Sequence, residues 1–279
     1  GIPRHIAAAV APKQQLITRG KVCHYFQPRP ADAHKGHTGH LLVIAGSPGK
    51  TGAAAMTAIA AMRTGSGLVT LGVPAGLNAT LENLVLEAMT VPLRETPNGT
   101  LAETAAPYIL KELQTKKCLA LGPGLGTDPE TRNLIHQLIA NSTVPIVLDA
   151  DGINCLVGHK ALLNDLQAPL ILTPHPGEMA RLIESKSQNV QKNRINHARK
   201  FAQEFGVFCV LKGARTVIAH PDGQVLISPT GNPGMASGGM GDGLTGLIAG
   251  FITQGWEPAA AAHAGVWLHG AAADELAQK

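Results

Sequence analysis

Aromatic residues are scarce in this chain, at 3% of 279 positions. Nucleic-acid binding leans on aromatic platforms and clustered cations, and here the cations are scattered and the net charge is only +4. Nucleic acid is therefore excluded as a partner. Cysteine is also sparse: Cys23, Cys118, Cys155 and Cys209 stand far apart. Cys118 and Cys209 fall inside apolar strand-like runs. That spacing gives neither a disulfide framework nor a zinc site and reads as reduced thiol in an intracellular, cytoplasmic protein. No apolar run approaches the ~18 residues of a membrane span, and no signal-peptide pattern is visible. There is no internal repeat.

What is abundant is apolar residue, at 44%, and glycine, at 32 residues. The length suffices for a sizeable core. The glycines gather in short runs behind apolar segments, as in loops shaped around a ligand. Residues 1–33 carry Pro3, Pro12, Pro28 and Pro30 with little periodicity. They read as a linker or arm with a short helix near Ile6–Val10, ahead of one domain at 34–279. From His40 onward, apolar runs alternate with helical patterns. Strands are expected at 41–45, 67–73, 117–121, 145–148, 169–172 and 207–212, with a hairpin at 216–219 and 224–227. Helices are expected at 52–63, 101–113, 129–140, 151–157, 177–184, 190–205, 242–253 and 258–273. Continuous apolar strands between helices mark a mostly parallel sheet covered on both faces, with the hairpin as an antiparallel edge. Ligands in such sheets bind at the carboxyl ends of the strands. The Ala-rich last helix reads as packing, against the body or another subunit of a homo-oligomer.

The most informative stretch is Gly231 to Gly246, with Gly238-Gly239-Met240-Gly241-Asp242 at its centre and an apolar helical pattern after it. Glycines let successive N–H groups converge at a helix N-terminus, where the dipole favours phosphate. A carboxylate there repels phosphate unless it serves as a base. The pair reads as a phosphoryl-transfer site, with amides for the moving phosphate and Asp242 for the proton of an attacking hydroxyl. The plainer reading is a tight turn with Asp242 as N-cap.

Two familiar motifs are approached and missed. Gly46-Ser47-Pro48-Gly49-Lys50-Thr51 resembles a P-loop, but Ile44 stands where the first glycine belongs, leaving Lys50 as a solvated cation. Gly122-Pro123-Gly124-Leu125-Gly126 resembles a dinucleotide fingerprint, but Thr127 occupies the third glycine position. Asp149 and Asp151 sit at one strand end; they either orient a Mg²⁺ through water or, for Asp151, cap the next helix. In Thr173-Pro174-His175-Pro176-Gly177-Glu178 two prolines fix a histidine suited to a ligand contact. Lys212-Gly213-Ala214-Arg215-Thr216 offers cations, amides and a hydroxyl suited to a nucleotide. His34, His37 and His40 recur every third residue, but Gly36 and Gly39 oppose a helix, so they are not metal ligands, and no metal-ligating set is assigned.

Together the motifs form a known set. H-K-G-x-x-G at 34–39, V-I-A-G-S, G-A-A-A-M-T-A-I-A-A-M-R-T-G-S-G-L-V at 52–69, G-P-G-L-G, L-D-A-D-G-I-N at 148–154, T-P-H-P-G-E, L-K-G-A-R-T at 211–216 and N-P-G-M-A-S-G-G-M-G-D occur in one order. Across residues 34–275 the chain closely resembles the ADP/ATP-dependent NAD(P)H-hydrate dehydratase family. The resemblance implies a ribokinase-like three-layer α/β/α sandwich. It implies dehydration of (6S)-NADH or NADPH hydrate coupled to ADP or ATP hydrolysis with Mg²⁺, releasing AMP and phosphate when ADP is used. It further implies that Lys212, Gly213, Ala214, Arg215, Thr216 and Gly241 hold the adenine nucleotide. Ala53, Gly124, His175 and Asp242 would contact the hydrated cofactor. Gly1-Ile2-Pro3 resembles the last strand of the NAD(P)H-hydrate epimerase domain often fused ahead of this one, which points to the dehydratase half of a bifunctional protein. The glycine–Asp site alone also permits a ribokinase-like kinase of a small hydroxylated metabolite. A non-catalytic nucleotide sensor is disfavoured, because a sensor gains nothing from Asp242.

Overall fold

Successive residues of a strand point to opposite faces, so a strand covered on both sides must be apolar throughout. In the computed structural model, which describes all residues except 1, 2, 4, 7–12, 33 and 37, the apolar runs obey this rule. Leu41 and Val43 enter one core with Cys118, Ala120, Val147, Ile171 and Val210. Leu42 and Ile44 enter the other with Leu119, Leu121, Ile146, Leu148, Leu170 and Leu172. One sheet thus separates two cores in a three-layer α/β/α sandwich.

The strands are β1 (Gln14–Leu16), β2 (His40–Ile44), β3 (Leu68–Pro74), β4 (Met89–Leu93), β5 (Cys118–Leu121), β6 (Ile146–Leu148), β7 (Leu170–Leu172), β8 (Phe208–Leu211), β9 (Val217–Ala219) and β10 (Val225–Ile227). Their spatial order is β1-β10-β9-β8-β7-β6-β5-β2-β3-β4. All pairings are parallel except those of β9 with β8 and β10. The helices are α1 (Arg19–Tyr25), α2 (Thr51–Thr64), α3 (Asn78–Leu84), α4 (Ala106–Leu113), α5 (Pro129–Asn141), α6 (Asp151–Asn154), α7 (Pro176–Leu182), α8 (Ser187–Lys192), α9 (Arg194–Phe205), α10 (Met240–Thr253) and α11 (Pro258–Leu276). α1, α2, α3, α10 and α11 cover one face, and α4 to α9 the other.

Several expectations are corrected. The hairpin is not the sheet edge, because β1 pairs outside it with Gln14 opposite Val225. β1 and α1 lie in the segment read as an arm, and α3 and β4 had no sequence signal. The helix expected at 101–113 starts at Ala106, since Leu101 bridges to Glu95 and Glu103–Ala105 form a tighter turn. The helix expected at 190–205 breaks at Asn193 (φ −141°, ψ 46°). Of the helix expected near Ile6–Val10, residues 7–10 lie outside the described residues, as do His37 and, in the Gly1-Ile2-Pro3 likeness, residues 1 and 2.

α10 carries the glycine-rich site, and its seating on α2 fixes where that site points. Gly246 and Gly250 let the two backbones meet. A Cβ at Gly246 would press into the Thr57 carbonyl and stand 2.8 Å from the Ala60 methyl; one at Gly250 would stand 2.9 Å from Thr64 Cβ. Gly246→Ala is expected to lose about 1–3 kcal/mol through overpacking, more than the ~1 kcal/mol that alanine gains in helix propensity. A lower urea midpoint at unchanged m-value is the predicted outcome; a higher midpoint would mean that the helices are not in backbone contact.

Loops at residues 45–50, 122–128, 149–150, 173–175, 212–216 and 228–239 follow the carboxyl ends of β2, β5, β6, β7, β8 and β10, and these strands run in one direction. The glycine- and proline-rich segments singled out in the sequence therefore converge at one end of the sheet.

Candidate active site

Where β6 ends, Asp149 drops into the interior at 1% exposure. Its Oδ1 accepts hydrogen bonds from Lys212 Nζ (2.6 Å) and Thr173 Oγ1 (2.7 Å), and its Oδ2 from Thr245 Oγ1 (3.0 Å). One buried carboxylate thereby ties β6, β7, β8 and α10 together. A buried charge is tolerable only with such pairing. Asp151 takes a different course. It accepts from the Gly126 N–H (2.9 Å) and pairs with Lys50 (2.8 Å), so Lys50 is not simply solvated. Burial works to raise the Asp151 carboxyl, but hydrogen bonds from Lys50 and Gly126 outweigh it and hold the group below its usual range.

α10 begins at Met240, two residues ahead of the expected Asp242, because Gly239 adopts the left-handed N-cap conformation (φ 90°). Among the described residues no side chain caps this helix, so its first-turn N–H groups remain donors in want of an acceptor. Asp242 is therefore inside the first turn and is not the cap. A Cβ at Gly241 would lie 3.2 Å from Lys212 Nζ and 3.4 Å from Asp149 Oδ2; glycine is what allows the helix N-terminus to close over the lysine. Beside it opens a cavity of about 470 Å³. Lys212, Gly213, Ala214, Thr216 and Gly241 line one side, Met240, Leu244 and Val266 give an apolar wall, and Asn232 and His269 are polar neighbours. Its size is that of a small-ligand pocket.

Asp242 is half-buried next to this cavity and, among the described residues, has no hydrogen-bond partner. Burial pushes its carboxyl above the ordinary value; Asp149 and Asp151 push the same way, against Lys212. A carboxyl lifted toward neutrality and left unbonded is suited to accept a proton.

The remaining candidates lie on the neighbouring loops. Gly124 (φ +66°) packs so closely that a Cβ would stand 3.1 Å from Ala53 Cβ and 3.0 Å from Lys50 Cβ, and its carbonyl accepts from Ser47 Oγ at 2.6 Å. Ala53 and Gly124 are thus brought together. His175 caps α7: its Nδ1 accepts from the Gly177 and Glu178 N–H groups, while Glu178 Oε2 accepts the His175 N–H at 2.7 Å. An accepting Nδ1 leaves the proton on Nε2 of the neutral ring. Burial, then Lys212 and Arg181, lowers the His175 pKa, which favours that neutral form. Buried Glu178 lies 4.0 Å from Lys212 and joins His175 to the central ion pair.

Arg215 is not brought to the cavity. Its guanidinium donates to the Pro229 carbonyl and lines a separate hollow of about 240 Å³. His40 is bonded to Thr70 and lies in β2. Among the described residues no group of three or more His, Cys, Asp or Glu side chains is placed to hold a metal ion. Thr245 and His269 escaped the sequence reading. Thr245 stands four residues after Gly241, one helical turn, a spacing that would have put its hydroxyl on the same face; His269 carried no signal.

The family model described as NAD(P)H-hydrate dehydratase matches residues 41–279. The bifunctional NAD(P)H-hydrate repair enzyme of Moorella thermoacetica is 46% identical over 100% of this chain and 53% of its own length. The ADP-dependent (S)-NAD(P)H-hydrate dehydratase of Neisseria meningitidis is 37% identical over 95% of this chain and 86% of its own. The crystal structure of the ADP/ATP-dependent NAD(P)H-hydrate dehydratase from Bacillus subtilis, co-crystallized with ATP/Mg²⁺, superposes with a TM-score of 0.80 at 30% identity, covering 95% of this chain and 90% of that one. The chain spans about half the length of the bifunctional relatives.

Proposed function

From the membership of this chain in the NAD(P)H-hydrate dehydratase family, we propose that it dehydrates (6S)-NADH or NADPH hydrate to the reduced cofactor, with ADP giving AMP and phosphate. The observation that carries the reading is local. The uncapped α10 N-terminus and Lys212 form an anion cradle at Gly241, and the next residue is an unbonded, half-buried carboxylate.

The chemistry follows from that pairing. Hydroxide is a poor leaving group, and phosphate is a good one. The hydrate hydroxyl attacks the terminal phosphorus of ADP, the bond to AMP breaks, and the hydroxyl proton passes to Asp242. Lys212 and the Gly239–Gly241 amides stabilise the charge on the moving phosphoryl. The phosphate ester then leaves as the ring nitrogen lone pair opens the C–O bond, and loss of a neighbouring ring proton restores the dihydronicotinamide. Lys212, Gly213, Ala214, Thr216 and Gly241 hold the nucleotide; Ala53, Gly124, His175 and Asp242 meet the hydrated ring. Neutral His175 offers Nε2–H as a donor.

Mg²⁺, when bound, neutralises the phosphates. Both oxygens of Asp149 and both of Asp151 accept from protein donors, so an ion carried by the nucleotide would meet these carboxylates through water. The buried thiols Cys118, Cys155 and Cys209 suit the reducing cytoplasm. The share of its relatives that this chain spans supports a place as the dehydratase half of a repair enzyme with an epimerase domain.

The test is to incubate the protein with hydrated NADH, Mg²⁺ and either ADP or ATP. Recovery of reduced-nicotinamide absorbance with release of inorganic phosphate is expected. A stable phosphoester product would make it a kinase instead, and no turnover with either nucleotide would remove the proposal.

A further inference from the structure

The loop from Lys212 to Thr216, which leaves the end of β8, lines the cavity with Lys212, Gly213, Ala214 and Thr216, yet it contains neither strand nor helix and must be held in shape by something else. Its carbonyls are taken from one side. Arg194, at the first turn of α9, donates to the Leu211 carbonyl (2.8 Å), to that of Lys212 (3.2 Å) and to that of Ala214. The Gly213 carbonyl accepts from Thr216 Oγ1 at 3.1 Å. A Cβ at Gly213 would stand 3.2 Å from the Arg194 guanidinium, so the arginine lies flat against the loop.

A trans peptide points its N–H opposite to its C=O. With the Lys212 and Ala214 carbonyls facing Arg194, the N–H groups of Gly213 and Arg215 face away from it. Arg194 lines the small hollow on one side of the loop, whereas the larger cavity lies against Lys212, Gly213 and Ala214 without it. Among the described residues the N–H groups of Gly213, Ala214 and Arg215 have no acceptor. Uncommitted successive amides beside a cavity form an anion-binding concavity.

We propose that Arg194 is a positioning residue for the nucleotide: by holding the carbonyl at the end of β8 and two carbonyls of the 212–216 loop on the outer side, it turns the loop amides toward the phosphates. This rests on the reading of the larger cavity as the adenine-nucleotide site. Arginine is suited to the task because its planar fork presents several donors in fixed directions, which a lysine ammonium does not. The guanidinium also carries a cost: its Nε is buried and, among the described residues, has no partner. That is a poor arrangement for a residue kept only for stability.

The experiment compares wild type, Arg194→Lys and Arg194→Ala in the full chain. ADP binding is measured calorimetrically with Mg²⁺, alongside separate KM values for ADP and for hydrated NADH. Arg194→Lys can reach one carbonyl at a time, so ADP affinity is expected to fall about tenfold or more, with KM for ADP rising in step. KM for hydrated NADH and kcat at saturating ADP stay at wild-type values. In Arg194→Ala, added methylguanidinium restores ADP affinity and methylammonium at equal ionic strength does not. If the alanine variant does not fold, the lysine variant decides. Unchanged ADP affinity in folded Arg194→Lys overturns the proposal, as does a joint rise of both KM values with falling kcat, the mark of a loosened fold. If wild type binds ADP but yields no NADH, the dehydratase reading fails while Arg194 is still judged by ADP affinity; if wild type binds no adenine nucleotide, both fail.

Discussion

Asp242→Asn is expected to keep the fold and ADP binding while losing at least about 10²-fold in kcat, the lower range for removing a positioned base. Asparagine matches the shape of aspartate, and no hydrogen bond is lost, since Asp242 has none among the described residues. The stability effect has a definite sign. Folding raises the Asp242 pKa, so the folded state binds the proton more readily and stability falls as pH climbs from the ordinary carboxylate value to the raised one. At neutral pH the wild-type charge therefore works against folding, and the amide variant should melt at the same urea concentration or a higher one. A base acts deprotonated, so wild-type kcat should fall on the acid side with an apparent pKa above the usual carboxylate range. Calorimetric ADP affinity, urea unfolding and a pH–rate profile check these points. Near-normal turnover in Asp242→Asn would take the carboxylate out of the mechanism.

What the sequence made legible follows burial. β2, β5, β6, β7 and β8 are covered on both faces, and their apolar runs stood out for that reason. β1 is exposed at all three residues, β4 is largely unburied and contains Pro92, and α1 buries only Val22. Elements at the margins of a sheet lack the pattern that a core imposes, and they were missed. At the site, glycines that must be glycine betray themselves: Gly239 and Gly241 mark the cradle, and Asp242 is conspicuous beside them. Side-chain partners do not. Asp149 and Asp151 read as a pair because they are neighbours in sequence, yet Ala150 between them sits at φ 50°, an uncommon conformation for a residue with a Cβ. That turn sends one carboxylate into the core and the other to Lys50. Arg215 lies within the L-K-G-A-R-T motif but faces away, whereas Arg194, on a separate helix, supports it. Adjacency along the chain carried the glycine loops and failed for the charges, whose partners are set by the packing of four different elements.

Asp149→Ala is expected to cost about 3 kcal/mol, the lower end for removing one member of a buried ion pair. The loss arises less from missing attraction than from what is left behind: Lys212 keeps its charge at 19% exposure, with its nearest partner gone. Two features hold the figure down. Glu178 stands 4.0 Å from the ammonium and takes over part of the pairing, and the Thr173 and Thr245 hydroxyls can turn to other acceptors. Even so, ~3 kcal/mol is a large share of the 5–15 kcal/mol that holds a typical domain folded, and it should appear as a lower denaturant midpoint. Asp149→Asn separates stability from chemistry. Its amide oxygen still accepts from Lys212, and Thr245 can rotate to accept from the amide N–H, so the fold suffers less. The negative charge that helps raise the Asp242 carboxyl is gone, however. The acid limb of the kcat profile should therefore move to lower pH in this variant, a displacement that loosened packing does not produce. An unmoved limb in a folded Asp149→Asn protein would mean that Asp149 organises the site without tuning its base. An unmoved denaturant midpoint in Asp149→Ala would mean that the ion pair joining β6, β7, β8 and α10 contributes nothing to holding the cradle in place.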